Sequence, residues 1–161
     1  SDATKMAGGP AVPRSPGSLT GSGRPSTMAT MDEHRQLLRV RYRECDPMGI
    51  AHHSAYLVWF EMGRTELCRA AGVRYRDLED AGRFIAVADL AVRYRRPVRY
   101  DDEILVSTRL ETATRARLVH AYEIRRDEVI LTTARSTVAC VDRDGRLCPI
   151  PDLLMDAVGE G

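Results

Sequence analysis

Residues 42–56 read YRECDPMGIAHHSAY, and this stretch contains the end of one predicted strand, a turn and the start of a helix. The turn is predicted at residues 46–49, because proline presets its own φ and glycine tolerates a positive φ. Ser54 is a good N-cap residue, so the helix is predicted to begin there. This order brings the Asp46 carboxylate close to the free backbone N–H groups of a helix start. An acid beside such donors is the minimum equipment for acyl transfer.

The helix is predicted to run from Ser54 to about Ala71, with Gly72 as its stop. Its first half is apolar on nearly every side, which is typical of a helix enclosed by other elements. Glu61 is therefore expected to be buried. A buried carboxylate needs a partner, and Arg64 at i+3 is the local candidate.

Most of the remaining chain has the pattern of antiparallel strands. Strands are predicted at residues 36–44, 84–94, 103–111, 115–125 and 129–142, with short helices at 76–81 and 151–158. One long helix can cover such a sheet only if the sheet curves around it, as long twisted strands can. We therefore predict an α+β domain in which a curved five-stranded antiparallel sheet wraps around one central helix. An uncovered edge or face of the sheet is expected to pair with another copy of the chain.

The N-terminal segment differs from the rest in composition. Residues 1–33 are mostly Gly, Pro, Ser, Thr and Ala, and they lack an apolar pattern that could offset the entropy cost of ordering. They are predicted to be disordered, whereas residues 34–161 are predicted to form one domain. The sequence contains no recognisable secretory signal and no apolar run long enough to cross a membrane, so no membrane association is expected.

Charge and cysteine content narrow the classes of function. The chain carries 24 basic and 23 acidic residues, a balance that argues against non-specific nucleic-acid binding. Its four cysteines have neither a C-x-x-C nor a zinc-ligand spacing, so free thiols in a reducing cytoplasm are expected. No metal site is expected either, because one carboxylate and two adjacent histidines form no standard ligand set.

The opening motif and the order of elements together resemble the hotdog-fold thioesterases, specifically the 4-hydroxybenzoyl-CoA thioesterase-like group. The residues that match the first family motif are Tyr42, Glu44, Cys45, Asp46, Gly49, Ile50, His52, His53, Tyr56, Trp59 or Phe60, and Glu61. A second block, residues 94–103, is similar to the family pattern Y-x-x-P-x-x-x-G-D-E, with Asp101 at the position of its glycine. The resemblance covers about residues 36–150.

The resemblance implies an activity and a site. Asp46 would be the catalytic carboxylate, and the backbone N–H near His53 would polarise the thioester carbonyl, with the His53 side chain orienting the acyl group or water. The expected substrate contacts are Tyr42, Gly49, His52 and Tyr56. Members of the family act on acyl-CoA or related acyl thioesters, need no cofactor, and form homodimers or homotetramers with active sites between subunits.

The chemistry of these residues leaves several roles open. An ionised Asp46 can attack the carbonyl carbon or deprotonate water, and the sequence does not separate the two. An aspartate before proline can also simply cap a turn, and a histidine pair at a helix start is often a structural hydrogen-bonding feature. Glu61 is a reserve candidate for the catalytic acid. Cys45 is expected to face away from Asp46 and to take no part as a nucleophile.

A basic cluster follows the second predicted strand, at Arg93, Arg95, Arg96 and Arg99. Arginine binds phosphate well, and coenzyme A carries phosphates, but a charged strand edge that deters aggregation explains the cluster equally. The hypothesis is an acyl-CoA thioesterase for a short-chain or aromatic acyl group. A non-catalytic acyl-thioester-binding protein and a hotdog enoyl-CoA hydratase are the alternatives. The sequence leaves open whether the carrier is coenzyme A or an acyl carrier protein.

Overall fold

The structure is a computed structural model, and it describes residues 31–158. The strands are β1 (Glu33–Arg39), β2 (Phe84–Tyr94), β3 (Glu103–Ala113), β4 (Leu118–Arg126), β5 (Val129–Val141) and β6 (Leu147–Cys148). The helices are α1 (His53–Ala70), α2 (Tyr75–Asp80) and α3 (Asp152–Val158), and a 3₁₀ turn spans Tyr42–Glu44.

The strands form one antiparallel sheet in the order β1-β3-β4-β5-β2, with β6 paired to β5. Because β1 and β2 stand at its two edges, the curved sheet does not close on itself. The α+β architecture predicted from the sequence is confirmed, with one more strand than expected. A strand of two residues such as β6 is too short to show the alternating pattern on which the prediction rested.

Helix α1 packs on the inner face of the sheet, mainly against β1 and β3. Gly63 lies tightly against β3, since a Cβ atom there would lie 2.1 Å from Thr108 Oγ1. Glycine lets the helix come this near to the threonine side chain, because any side chain at that position would overlap it. Buried apolar residues form one cluster around the C-terminal half of α1 with α2 and α3, and a second around its N-terminal half.

The outer face of the sheet is charged rather than apolar. Arg125 pairs with Glu123 on β4, and Arg135 Nε lies 2.6 Å from Glu111 Oε2 across the sheet. A face of this composition needs no apolar cover. The predicted need for a partner therefore falls on the sheet edges.

Strand β1 is shorter at its end than predicted. It stops at Arg39 rather than at residue 44, because the Glu44 carboxylate accepts the Arg41 backbone N–H at 2.7 Å and closes the 3₁₀ turn.

Asp101, which stands at the glycine of the second motif, has a φ of +68°, in the left-handed region that glycine favours. The turn therefore keeps a glycine-like backbone although the side chain differs.

The prediction that Glu61 is buried is wrong, although its predicted partner is correct. Their ion pair exists, with Nη2 3.4 Å from Oε2, but the glutamate side chain is 65% exposed and the arginine side chain only 9%. Leu57 and Val58 are exposed as well, so α1 has a solvent-facing side. Residue spacing fixes which side chains meet on a helix, whereas the packing of the helix decides which of them is enclosed.

Residues 31–33 pack onto the rest of the described structure. Met31 is buried, its backbone N–H donates to Ala157 O at 3.1 Å, and Glu33 opens β1. The disorder predicted for the N-terminal segment falls, up to residue 30, outside the described residues.

The four cysteines are free thiols. Within residues 31–158, no helix combines the length and the apolar content needed to cross a membrane.

Candidate active site

Asp46 lies in a tight turn that its own side chain helps to close. Gly49 N donates to Asp46 O at 2.9 Å, and Asp46 N donates to Ile50 O at 2.9 Å. Gly49 has a φ of +74°, which explains why glycine stands at this point of the turn. Met48 N donates to Asp46 Oδ1 at 2.8 Å. Within residues 31–158, Oδ2 of the same carboxylate has no hydrogen-bond partner, so it is free to meet a ligand.

One backbone hydrogen bond holds this turn against the start of α1, and another ties the residue before the helix cap to the loop after β2. His52 N donates to Glu44 O at 2.8 Å, and Ala51 N donates to Val98 O at 2.7 Å. Cys45 and Ala51 also face each other in an isolated β-bridge. The residue before Asp46 and the residue just before the helix cap are therefore neighbours, and the carboxylate is carried to the N-terminal end of α1.

His52, rather than the predicted Ser54, is the N-cap residue of α1. Its Nδ1 accepts the Ser54 backbone N–H at 3.3 Å and lies 2.8 Å from Ser54 Oγ, while its carbonyl accepts Ala55 N at 2.9 Å. A serine can cap a helix only from the position before its first residue, and here the chain already turns at His52. His53 is consequently the first residue of the helix.

The backbone N–H of His53 is one of those that no carbonyl of the helix can accept. No backbone acceptor for it is found elsewhere in residues 31–158. The positive end of the helix dipole adds to its capacity to bind an oxygen that carries negative charge. α1 is 18 residues long, so the peptide dipoles of about five turns add up at this end.

Asp46 and His53 line the same cavity, which has a volume of about 400 Å³. Its lining residues are Asp46, Met48, Ile50, Ala51, His53, Tyr56, Tyr94, Arg95, Arg96 and Pro97. A larger depression of about 820 Å³ lies on the charged outer face of the sheet and is lined by none of the predicted site residues. The smaller cavity is therefore the candidate active site.

Tyr56 forms an aromatic wall of this cavity. Its ring is 4.9 Å from that of Trp59 behind it and 4.9 Å from that of Tyr94, which it meets edge to face. Burial raises the pKa of the Tyr56 hydroxyl, so the side chain stays neutral. Together with Met48 and Ile50, the two tyrosines give the cavity a largely apolar interior beside the carboxylate.

Glu44 supports the site from behind, a role that the sequence analysis missed. Its buried carboxylate accepts the Trp59 indole N–H at 3.1 Å and the Arg41 guanidinium at 2.6 Å. Burial pushes the pKa of this carboxyl upward, but the hydrogen bonds from Arg41 and Trp59 outweigh burial and leave the pKa below its ordinary value. The ionised Glu44 thus ties the segment before Asp46 to α1.

Three expected substrate contacts lie outside the cavity. Tyr42 is 82% exposed and packs edge to face on Tyr100, with ring centroids 5.6 Å apart. Gly49 shapes the turn, and His52 caps the helix. Of the six predicted site residues, Asp46, His53 and Tyr56 line the cavity.

Cys45, the alternative nucleophile, does not line the cavity, and neither does Glu61, the reserve candidate for the catalytic acid. Burial raises the pKa of the Cys45 thiol, and the neighbouring carboxylates of Glu44 and Asp46 raise it further, so its reactive thiolate is disfavoured. Glu61 is exposed on α1 and pairs with Arg64. Asp46 is therefore the one carboxylate among the lining residues.

The structure divides the arginine cluster. Arg95 and Arg96 line the candidate cavity, whereas Arg93 lines the depression on the outer face of the sheet. Arg99 faces Ile50 in an isolated β-bridge and lines neither. The sequence showed the cluster, but not which members of it reach the site.

Comparisons with known proteins identify the family. Residues 40–158 match the thioesterase-like superfamily. The YneP protein of Bacillus subtilis is 36% identical over 115 residues, which cover 71% of this chain and 83% of YneP. The acyl-CoA thioesterase YbgC of Haemophilus influenzae is 31% identical over 114 residues, which cover 70% of this chain and 83% of YbgC.

A solved structure gives the same result. DHNA-CoA thioesterase from Staphylococcus aureus superposes with a TM-score of 0.69 at 32% identity, covering 73% of this chain and 79% of that one. The match to the family thus spans β2 to β6, all three helices and the turn that carries Asp46. The chain therefore belongs to the thioesterase-like superfamily and has the hotdog fold.

Proposed function

We propose that the protein hydrolyses a short-chain or aromatic acyl-CoA to the free acid and coenzyme A. The observation that carries this proposal is the shared cavity of Asp46 and His53, in which a carboxylate stands next to a helix N-terminus. Thioester hydrolysis needs both, because the carbonyl carbon must be attacked while its oxygen gains negative charge. Free thiols at all four cysteines suit a reducing compartment such as the cytoplasm.

In this mechanism the thioester carbonyl oxygen accepts a hydrogen bond from the His53 backbone N–H. One such donor typically contributes about 10²–10³ in rate, because it is already oriented toward the charge that develops. Asp46 uses its free Oδ2 either to attack the carbonyl carbon or to take a proton from the attacking water. Met48 N holds Oδ1, so the carboxylate keeps one orientation in both versions.

The shape of the cavity supports a compact acyl group. Tyr56 and Tyr94 present aromatic surface to it, and Met48 and Ile50 complete an apolar lining. A volume of about 400 Å³ is at the small end of the range for ligand sites. The S. aureus relative is named a DHNA-CoA thioesterase, which supports a CoA thioester as the substrate of this protein.

A second copy of the chain is proposed to complete the site. β2 is an edge strand of 11 residues with largely exposed side chains, and an edge of this length is a template for pairing with another strand. Its last residue, Tyr94, borders the cavity and contacts Tyr56. A homodimer or homotetramer built on this edge would bring partner residues next to the cavity. Activity that falls on dilution, in step with dissociation seen by analytical ultracentrifugation, is the expected behaviour.

The test is a panel of acyl-CoA thioesters with detection of released coenzyme A. Asp46→Asn keeps the Oδ1 acceptor for Met48 N but removes the charge, so kcat should fall by about 10²–10⁴ while the melting temperature is preserved. Asp101→Asn is the matched control, because it makes the same change at an exposed carboxylate outside the cavity. Its turnover should equal that of the unaltered protein.

Unchanged turnover in Asp46→Asn would remove Asp46 from the mechanism. Binding of acyl-CoA without release of coenzyme A would favour a non-catalytic binder. Hydration of an enoyl-CoA with the thioester left intact would favour a hydratase.

A further inference from the structure

Arg95 and Arg96 are consecutive residues that border the same cavity, which an ordinary strand does not allow. Successive side chains of a strand point to opposite faces. Here the backbone N–H groups of both arginines donate to one carbonyl, Leu131 O, at 2.8 and 3.0 Å. Two residues thus oppose one partner, as in a β-bulge, and Pro97 follows. This local geometry explains how both arginines reach the rim of the Asp46 cavity.

The charge of the two arginines is not balanced locally. Within residues 31–158, neither guanidinium forms an ion pair with a carboxylate, whereas several other arginines of the domain do. Both residues are exposed. Asp46 contributes the one negative charge of the cavity lining against two positive charges. The rim is therefore suited to an anion that comes with the ligand.

We propose that Arg95 and Arg96 bind a phosphate group of coenzyme A, and so select this carrier for the thioester. This inference rests on the proposed function. A cavity of about 400 Å³ holds an acyl group and the thiol end of the carrier, so the phosphates must extend beyond its rim. Guanidinium groups bind phosphate through paired, charge-assisted hydrogen bonds. The two arginines border this cavity and are exposed, so their long side chains can meet a phosphate outside it.

A pair of thioesters separates this role from a structural one. The same acyl group is offered on coenzyme A and on N-acetylcysteamine, which has no phosphate. In Arg95→Ala/Arg96→Ala, KM for the CoA thioester should rise about tenfold to a hundredfold, the loss expected for one or two charge-assisted hydrogen bonds. Its kcat should stay within about twofold, and KM for the cysteamine thioester should not change.

The chain provides a matched control. Arg93→Ala/Arg99→Ala removes the same charge from the same cluster but leaves the cavity lining intact, so KM for both substrates should stay unchanged. Added salt should raise KM for the CoA thioester in the unaltered protein and in this control. The dependence on salt should be weaker in Arg95→Ala/Arg96→Ala.

Two outcomes would overturn the inference. KM could be unaffected in Arg95→Ala/Arg96→Ala, or it could rise equally for both thioesters. A cysteamine thioester of a dicarboxylic acid tests the other source of an anion. If the double variant impairs this substrate and not the CoA thioester, the arginines bind a carboxylate of the acyl group instead.

Calorimetric titration with free coenzyme A keeps the two proposals apart. Weaker binding of coenzyme A in Arg95→Ala/Arg96→Ala, in a protein that cleaves no thioester, would support the phosphate site while the proposed hydrolysis fails. If the unaltered protein cleaves the CoA thioester, but it and Arg95→Ala/Arg96→Ala bind free coenzyme A equally well, hydrolysis is supported and the phosphate site is refuted.

Discussion

Glu44 and Trp59 are joined by a buried hydrogen bond in which the indole Nε1 donates to the carboxylate at 3.1 Å. The bond connects the segment just before Asp46 to the second turn of α1. Asp46 and the first residue of that helix, His53, line one cavity. The geometry of the site therefore depends on a contact between two buried side chains that do not line the cavity. Its removal should alter stability and catalysis together.

Trp59→Phe removes the donor and keeps most of the buried ring. A hydrogen bond to a charged group contributes about 1.5–3 kcal/mol, so the free energy of unfolding should fall by about that amount, measured by urea denaturation. Glu44→Gln should cost a similar amount, and the double variant should cost less than the sum of the two. Strict additivity would mean that the bond contributes nothing. Glu61→Gln, at an exposed carboxylate of α1, is the control and should have little effect.

His53→Pro tests the backbone donor without removing the helix. Proline is favoured at the first helical position, and the preceding residue His52 already has the extended φ of −62° and ψ of 143° that proline requires. The substitution deletes the N–H, so kcat should fall by about 10²–10³ with little change in the circular dichroism spectrum. His53→Ala keeps the N–H and should lose far less. Equal losses in the two variants would assign the role to the imidazole instead.

Gly63→Ala should destabilise the fold although alanine is the better helix former. The new Cβ would lie 2.1 Å from Thr108 Oγ1, and such overpacking typically costs about 1–3 kcal/mol. Adding Thr108→Ala removes the clashing hydroxyl and leaves the Cβ of residue 108, 3.3 Å away, as the nearest atom. The double variant should therefore recover most of the lost melting temperature. No recovery would mean that the clash is not the cause.

His120 should make the protein sensitive to acid. It is buried in β4, neither ring nitrogen has a hydrogen-bond partner within residues 31–158, and burial together with the nearby charge of Arg64 lowers its pKa to about 4. The unfolded chain takes up the proton near pH 6.5 and the folded protein only near pH 4. The free energy of unfolding should thus be highest above pH 6.5 and fall by up to about 3 kcal/mol as the pH drops to about 4.

Urea denaturation at several pH values checks this dependence. His120→Leu removes the titrating group, so its stability curve should be flatter between pH 6.5 and 4 than that of the unaltered protein. Arg64→Met removes the nearby positive charge and should flatten the curve in part. If His120→Leu keeps the full slope, the acid sensitivity has another origin.

Several elements were predictable because their signals are local. β2 was predicted at residues 84–94 and spans Phe84–Tyr94, since an uninterrupted strand pattern needs no knowledge of its partners. The turn at residues 46–49 was also predictable, because proline and glycine restrict or free their own backbone angles. The closeness of Asp46 to a helix start followed from the same short stretch of sequence.

The burial of individual side chains and the choice of their partners could not be predicted from the local sequence. The sequence places Glu61 and Arg64 on neighbouring turns, but which one is enclosed depends on how α1 lies on β1 and β3. Nothing in the local sequence distinguishes Glu44 from the exposed glutamates of the chain. Its buried hydrogen bond with Trp59 is seen only in the folded structure. The hydrogen bonds to Leu131 O, which bring Arg95 and Arg96 to one cavity, join segments far apart in sequence.

The sequence by itself determined the order of elements, the turn with its acid and the family motif, because short-range steric preferences and periodicity belong to each segment alone. The tertiary structure decided the rest: the cavity that Asp46 shares with His53, and the two arginines at its rim. These depend on which distant segments meet, because Ala51 N bonds to Val98 O and both arginines bond to Leu131 O.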